Sequence, residues 1–418
     1  MIDSVIHDST RRRVADRPAV ALILLNNSGI GGAERRFGQV VQAFQERHER
    51  MALIVNASLY RQLNEAGILK GKGPDFVMQE PFGVLAGLVG GPQNGDEAPA
   101  LPDTWSRRTR SYLAFLIRKL DYLLGCVAIA WWVWTRRPRV LHLVLGGAYV
   151  ALPLQFLGLA PRTVVSVVSP SLRGTVGVPW ALPLYRWAIR AAPVVDALTP
   201  TIKQQLIDER IPAERIRVSP GSCVNTARFT PSRSKKPWVV FSGRLIAEKR
   251  PELFIEACAL VRRQAPGARF FMLGDGPSRA SVDEAVRRHG LEAAIQVGWQ
   301  PHVETILGEA LIFVSLQQMD NYPSQALLEA MACGLAAVAT DVGLTAKLVD
   351  DTVGRRVPPT PEAVADAIVE LLADPARAEA MGRAARERVV REHSMEAYLR
   401  YLRSVYDAAG GGEAACSS

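Results

Sequence analysis

The chain has 418 residues, 48% of them hydrophobic and 22% charged, and carries a formal net charge of +9. That composition excludes a disordered polar chain, and the length exceeds one ordinary domain, so two domains are expected. The positive surplus suits a phosphorylated substrate, an anionic membrane surface or a nucleic acid. Nucleic acid ranks last, because the basic clusters at 11–13, 107–110 and 136–139 carry neither an aromatic-rich RNA signature nor a zinc spacing. Cys126, Cys223, Cys258, Cys333 and Cys416 are odd in number, scattered and without a CxxC pair, as in free thiols of a reducing compartment. The first residues lack a cationic start followed by an apolar core, so no signal peptide is expected.

Residues 19–25 form a continuous apolar run suited to a buried strand. The run opens onto a turn holding Gly29, Gly31 and Gly32, and a helix continues through Phe37, Val40, Val41 and Phe44. Such glycines permit a phosphate to approach a helix N-terminus, and many α/β folds use the same turn only to reverse the chain. Residues 51–56 read as a second strand, and the glycine- and proline-rich stretch 70–104 reads as either a lid or a disordered insert. A helix is expected over 112–134. Its uncharged run, 122–135, is shorter than the roughly 20 residues of a bilayer span. Trp131, Trp132 and Trp134 beside Arg136 and Arg137 fit a membrane interface, against the more ordinary reading of a buried crossover helix.

Residues 140–161 read as strand, glycine turn and helix rather than a span, because Gly146, Gly147, Pro153 and Gln155 interrupt them. Strands follow at 163–168, 193–198 and 215–219, with a capped helix starting at Thr199 and Pro200. This alternation predicts a doubly wound sheet. Residues 229–237 are polar and proline-bounded, as in a linker.

A second cycle begins with a strand at 238–242. The next loop carries Arg244 and Lys249, two cations suited to clamping a diphosphate, or simply solvated surface charge. Strands at 268–273 and 295–298 lead to a strand–loop–helix–strand unit: 311–315, a polar loop, a helix carrying Glu329 and stopped at Gly334, then 336–340. In parallel sheets ligands sit beyond the carboxyl ends of strands, where loop amides and helix N-termini favour anions. A crossover with a surface glutamate has the same spacing. Helices are expected at 360–373, 375–392 and 395–408, followed by a disordered tail at 410–418.

Assembled in order, several segments resemble the retaining GT-B glycosyltransferases of family four, which use nucleotide-sugar donors. They are Ser242-Gly243-Arg244-Leu245 with Glu248-Lys249-Arg250-Pro251, Gly274-Asp275-Gly276-Pro277, and the run from Leu327 to Gly334. Gly31-Gly32-Ala33-Glu34-Arg35 and Pro220-Gly221-Ser222-Cys223-Val224-Asn225 extend the likeness. The resemblance implies an α/β fold of two Rossmann-like doubly wound domains with a cleft between them. Residues 1–232 would hold the acceptor and 233–393 the nucleotide sugar. Residues 394–418 would form a helix crossing back to the first domain, and the tail.

The same resemblance implies that Arg244 and Lys249 neutralise the departing diphosphate and that Glu329 binds the ribose hydroxyls. Ala326 and Leu327 would offer amides to phosphate, the Gly31-Gly32 turn would approach the donor phosphate, and Asn321 and Ser324 would complete the donor site. Asp320 takes the sugar-side role, because the position eight residues before Glu329, commonly glutamate, is Asn321 here. His142 is the catalytic candidate of the first domain. The family's His-x-His is His142 followed by Val144, and a further family histidine corresponds to Ser169. Neither metal nor cofactor is expected. The implied enzyme transfers a sugar, with retention, to a saccharide or lipid-linked acceptor. It would work in the cytoplasm, with peripheral contact to an anionic membrane at its inner face. The alternative is a non-catalytic GT-B subunit that binds nucleotide sugar or acts as a scaffold. An epimerase on this architecture fits Gly31-Gly32 but fits Arg244, Lys249 and Glu329 less well.

Overall fold

The computed structural model describes residues 18–25, 32–49, 51–69, 73–78, 124–150, 154, 162–169 and 182–411. The chain divides into two compact units, Met1–Ser219 with Leu399–Ser418, and Pro220–Tyr398.

The first unit is built on a seven-stranded parallel sheet in the order β3-β2-β1-β4-β5-β6-β7. Its strands are β1 (Val20–Leu25), β2 (Met51–Asn56), β3 (Phe76–Met78), β4 (Val140–Leu145), β5 (Arg162–Val167), β6 (Val194–Ala197) and β7 (Ile216–Val218). Helices α1 (Gly32–Glu46), α2 (Ala57–Glu65), α3 (124–136), α4 (Leu182–Ala191) and α5 (Pro200–Asp208) connect them. Successive strand residues point to opposite faces, so a strand buried on both sides reads as an unbroken apolar run. Ala21, Ile23, Leu141, Leu143, Val165, Val167, Val195 and Ala197 share one face with the inner residues of α3, α4 and α5. On α3 these are Cys126, Ile129, Ala130, Trp132 and Val133. Thr199 caps α5, accepting from the Ile202 N–H at 3.2 Å.

The second unit holds a six-stranded parallel sheet in the order β10-β9-β8-β11-β12-β13. Its strands are β8 (Lys236–Ser242), β9 (Arg269–Leu273), β10 (Ile295–Gly298), β11 (Ala310–Ser315), β12 (Ala336–Thr340) and β13 (Gly354–Val357). The helices are α6 (Pro251–Gln264), α7 (Arg279–Arg288), α8 (Val303–Glu309), α9 (Gln325–Ala332), α10 (Pro361–Ala373) and α11 (Pro375–Glu392). Val239, Phe241, Phe270, Met272, Ile312 and Val314 bury one face against α6, α7 and α10. Val240, Phe271, Phe313, Ala337 and Ala339 bury the other against α9 and α11. A last helix, α12 (Met395–Tyr406), starts in the second unit and ends in the first.

Segment 229–237, expected as a linker, is instead tied into the second unit. Phe229 is buried in its core, Ser232 N–H donates to Gly308 O at 2.9 Å, and β8 already starts at Lys236. Lys235 Nζ donates to Gly308 O (2.8 Å) and Cys333 O (2.7 Å), joining the ends of α8 and α9. Two strands absent from the sequence reading, β3 and β13, each lie at one edge of their sheet. Residues 79–104 of the expected lid or insert, 112–123 of the expected helix and 412–418 of the tail lie outside the described residues.

Candidate functional site

In the second unit the chain runs from β8 outward to β10, then returns to the other side of β8 as β11. The order therefore reverses between β8 and β11, where an open α/β sheet leaves a crevice beyond its strand ends. The loops leaving these strands are laced together. Gly243 N–H donates to Leu273 O (2.9 Å), Leu245 N–H to Asp275 O (2.9 Å), and Gln318 N–H to Glu248 O (2.8 Å). A Cβ on Gly274 would sit 2.0 Å from Gly243 O, so the β8 and β9 loops touch backbone to backbone.

Arg244 and Lys249 follow β8. Gly243 has φ +138°, and a Cβ there would lie 2.3 Å from Lys249 Nζ, so the missing side chain is the seat of the ammonium. Arg244 is exposed and Lys249 half-buried. Burial pushes the Lys249 ammonium below its ordinary value; the neighbouring Arg244 charge adds to this and the Glu329 carboxylate opposes it. Two cations from the β8 loop and one carboxylate from α9 thus share one electrostatic neighbourhood.

Glu329 stands on α9 and is half-buried. Burial raises its carboxyl pKa, and Glu304 adds to the rise; the Gln325 hydrogen bond and the Arg228 and Lys249 charges hold it back. Gln325 Nε2 donates to Glu329 Oε1 at 3.0 Å and to Cys223 O at 3.4 Å, while Gln325 Oε1 accepts from the Ser222 hydroxyl. Arg228 in turn binds Glu304 at 2.9 Å. Sequence reasoning missed Ser222, Arg228, Glu304 and Gln325. A local signal did exist for Arg228: Asn225 Oδ1 accepts from the N–H groups of Ala227 and Arg228 (both 3.1 Å), a turn chemistry that fixes where Arg228 begins.

The start of α9 is open. Ser324 is buried at the N-cap, yet its side chain makes no cap bond, and the first bond into the helix runs from Leu328 N–H to Ser324 O (3.0 Å). The amides of Ala326 and Leu327 precede that bond and face no side-chain cap, which is how a helix N-terminus receives an anion. Asp320 is exposed, with Oδ1 accepting from the Leu344 N–H at 3.0 Å, and Asn321 Nδ2 reaches Gln317 Oε1 at 3.4 Å.

The remaining expected residues belong to the first unit. Gly31 lies outside the described residues, and Gly32 opens α1 with nothing within 4 Å of an added Cβ. His142, the expected catalytic residue of the first domain, is enclosed by its neighbours. The ring is fully buried on β4, with Nδ1 2.9 Å from Tyr406 Oη and Nε2 2.7 Å from Ser166 Oγ. Ser166 Oγ donates to Asp196 Oδ2 at 2.5 Å, and Tyr401 Oη donates to Asp196 Oδ1 at 2.6 Å. Because the Ser166 proton is committed to Asp196, Ser166 accepts from His142 Nε2–H, and Nδ1 accepts from Tyr406. Burial, aided by the Arg36 charge, lowers His142 to a pKa of about 3, so the ring is neutral. Burial raises the Asp196 carboxyl, against the Ser166 and Tyr401 hydrogen bonds and the Arg36 charge.

Among the described residues no group of three or more His, Cys, Asp or Glu gathers to hold a metal, and no helix is long and apolar enough to cross a membrane.

Comparison with known proteins gives a family match over part of the chain, and a fold. Residues 225–388 match the model of "Glycosyl transferases group 1". The chain is 29% identical over 251 residues to alpha-D-kanosaminyltransferase of Streptomyces kanamyceticus, covering 54% of this chain and 64% of that protein. It is 28% identical over 224 residues to 2-deoxystreptamine glucosyltransferase of the same organism, covering 48% and 57%. The matched region thus spans less than two thirds of either relative's length. The crystal structure of Anabaena Alr3699/HepE in complex with UDP superposes with a TM-score of 0.67 at 16% identity, covering 93% of this chain and 99% of that one. Two Rossmann-like units on this plan are the GT-B fold. The stretch that carries Arg244, Lys249 and Glu329 is accordingly the part of the chain that is similar to the glycosyl transferases group 1 family.

Proposed function

We propose that the chain is a metal-independent, retaining glycosyltransferase that moves a sugar from a nucleoside diphosphate sugar to a saccharide or lipid-linked acceptor. The observation that carries the reading is the meeting of Lys249, Arg244 and Glu329 beside the open N-terminus of α9. In this reading Glu329 accepts from the ribose hydroxyls, Ala326 and Leu327 amides bind phosphate, and Ser324 and Asn321 line the same loop. Asp320 stands on the sugar side. The acceptor hydroxyl bonds to the anomeric carbon as the bond from that carbon to the diphosphate breaks. The electron pair leaves with the diphosphate, which takes the acceptor proton on the same face. Fixed cations stabilise most where charge grows, so Arg244 and Lys249 do the work a metal does elsewhere. The first unit holds the acceptor, and the enzyme works in the cytoplasm at a membrane's inner face.

The relatives support a sugar-transfer reading: two are named for kanosaminyl and glucosyl transfer, and a structural neighbour binds UDP. One observation favours a second reading, a nucleotide-sugar-binding subunit without turnover, namely the enclosure of His142. A melting-temperature panel with UDP, GDP, ADP and their sugars, with and without EDTA, tests the first reading. A nucleotide at a hundred times its Kd adds about 2.7 kcal/mol, a rise of several degrees. The rise is expected for one base, unchanged by EDTA, and absent in Glu329→Ala. A rise that survives in Glu329→Ala removes the donor-site assignment. Turnover lost in Lys249→Ala selects the enzyme; unchanged cellular function in that variant selects the binding protein.

A further inference from the structure

Glu329 is braced from outside its own helix. Gln325, four residues before it on α9, donates from Nε2 to Glu329 Oε1 at 3.0 Å. An isolated surface pair at this spacing contributes little. Here the other partners of the amide come from a separate segment, 102 and 103 residues away in sequence: Nε2 also donates to Cys223 O at 3.4 Å, and Oε1 accepts from the Ser222 hydroxyl. The three bonds fix which way round the amide stands, since reversing it would set its carbonyl oxygen against the Glu329 carboxylate and the Cys223 carbonyl. The segment that holds it is itself fastened. Val224 N–H donates to His393 O at 2.8 Å, His393 Nδ1 donates to Ser222 O at 3.3 Å, and His393 and Ser394 are buried. All of these residues lie within the second unit. Glu329 Oε2, by contrast, accepts no hydrogen bond among the described residues.

We propose that Gln325 is a positioning residue for Glu329: it braces the carboxylate between α9 and the Ser222–Cys223 segment so that both oxygens meet the vicinal hydroxyls of a ribose, and it thereby sets a preference for ribonucleotide over deoxyribonucleotide ligands. The proposal rests on the reading of Glu329 as the ribose-binding carboxylate. A free glutamate side chain loses rotamer freedom when a ligand orders it, and a braced one has already lost it. The brace does not use up the carboxylate, because Oε1 can accept a second bond and Oε2 is unengaged. Gln325 also bears on charge. Burial raises the Glu329 carboxyl; of the groups that oppose this, the Gln325 hydrogen bond acts most strongly, ahead of Arg228 and Lys249, while Glu304 sides with burial.

The test is calorimetric binding of UDP, GDP and ADP, each beside its 2′,3′-dideoxy form, and of inorganic pyrophosphate. The full chain is compared with Gln325→Met, Ser222→Ala, Glu329→Gln and the double variant Gln325→Met with Glu329→Gln. Gln325 is exposed, so the melting temperature of Gln325→Met without ligand should match the parent chain. Its affinity for the bound ribonucleotide should fall about tenfold, with the dideoxy form and pyrophosphate unchanged. Ser222→Ala, which acts only through Gln325, should move the same way by less. In the Glu329→Gln background, Gln325→Met should cost nothing further, because the carboxylate it braces is gone. On acidification, ribonucleotide affinity should start to fall at a higher pH in Gln325→Met than in the parent, since only Arg228 and Lys249 then oppose burial and Glu304. A ribonucleotide affinity unchanged in Gln325→Met overturns the proposal and leaves the ribose reading of Glu329 standing. An equal loss for ribonucleotide, dideoxy form and pyrophosphate also overturns it, because Gln325 is then a prop for the start of α9. A parent chain that binds none of the three nucleotides overturns the ribose reading and this proposal with it.

Discussion

His142 receives a proton on Nδ1 from Tyr406 and gives its Nε2 proton to Ser166, so protonating the ring would break a bond in a fully buried place. Its folded pKa of about 3 lies below the ordinary 6.5. Between those values the unfolded chain binds a proton that the folded chain refuses, so stability falls as pH drops, by ~1.4 kcal/mol per pH unit. His142→Gln keeps one donor and one acceptor at this place, and the variant should lose that part of the slope in urea titrations at pH 4 to 6. Turnover should survive, whereas removing a general acid or base costs about 10²-fold or more; a loss of that size would make His142 catalytic after all. Neither the network nor the Glu329 surroundings could be read from sequence. Tyr401 and Tyr406 are separated from Asp196 and His142 by 205 and 264 residues, and Arg228 from Glu304 by 76. Arg244 and Lys249 could be singled out because they follow an apolar strand in one loop, and Glu329 because its helix lies between two apolar strands.

Gly243 shows how a loop, not a side chain alone, makes the candidate site. Gly243→Ala would meet φ +138° with a side chain and place a methyl group 2.3 Å from Lys249 Nζ. Backbone strain of this kind costs about 1–3 kcal/mol, and the displaced ammonium should abolish the nucleotide-induced rise in melting temperature. An unchanged rise in Gly243→Ala would show that the seat of Lys249 is irrelevant to binding. The elements themselves divide by how apolar and how continuous their runs are. Central strands such as Met51–Asn56, Val140–Leu145 and Ala336–Thr340 appear in the sequence as apolar runs with the observed bounds, because both their faces are buried. The edge strands Phe76–Met78 and Gly354–Val357 do not, the first following a glycine-rich stretch and the second pairing two arginines with a glycine, whereas the other two edge strands, Ile216–Val218 and Ile295–Gly298, were read. Helix α3 was half legible: Trp132 is core as a crossover helix requires, while Trp131 and Trp134 are surface.

At the scale of the molecule, the first unit is discontinuous: residues from 399 onward return to it. They bring Tyr401 to Asp196, Tyr406 to His142 and Arg403 to Glu49. Deleting residues 399–418 would leave the Asp196 and His142 groups buried without those partners, at about 1–3 kcal/mol for each unsatisfied group. Hydrogen exchange should then show protection lost in β4, β5 and β6 and kept in β8 to β13; equal protection in both sheets would make the returning helix dispensable. The same feature sets a timetable. A ribosome adding about 5–20 residues per second makes Asp196 205 residues before Tyr401, a delay of about 10–40 s. The second unit, continuous in sequence, is complete within that interval. The unit synthesised first is therefore the one finished last, and any nascent chain released early carries Asp196 and His142 without their tyrosine partners.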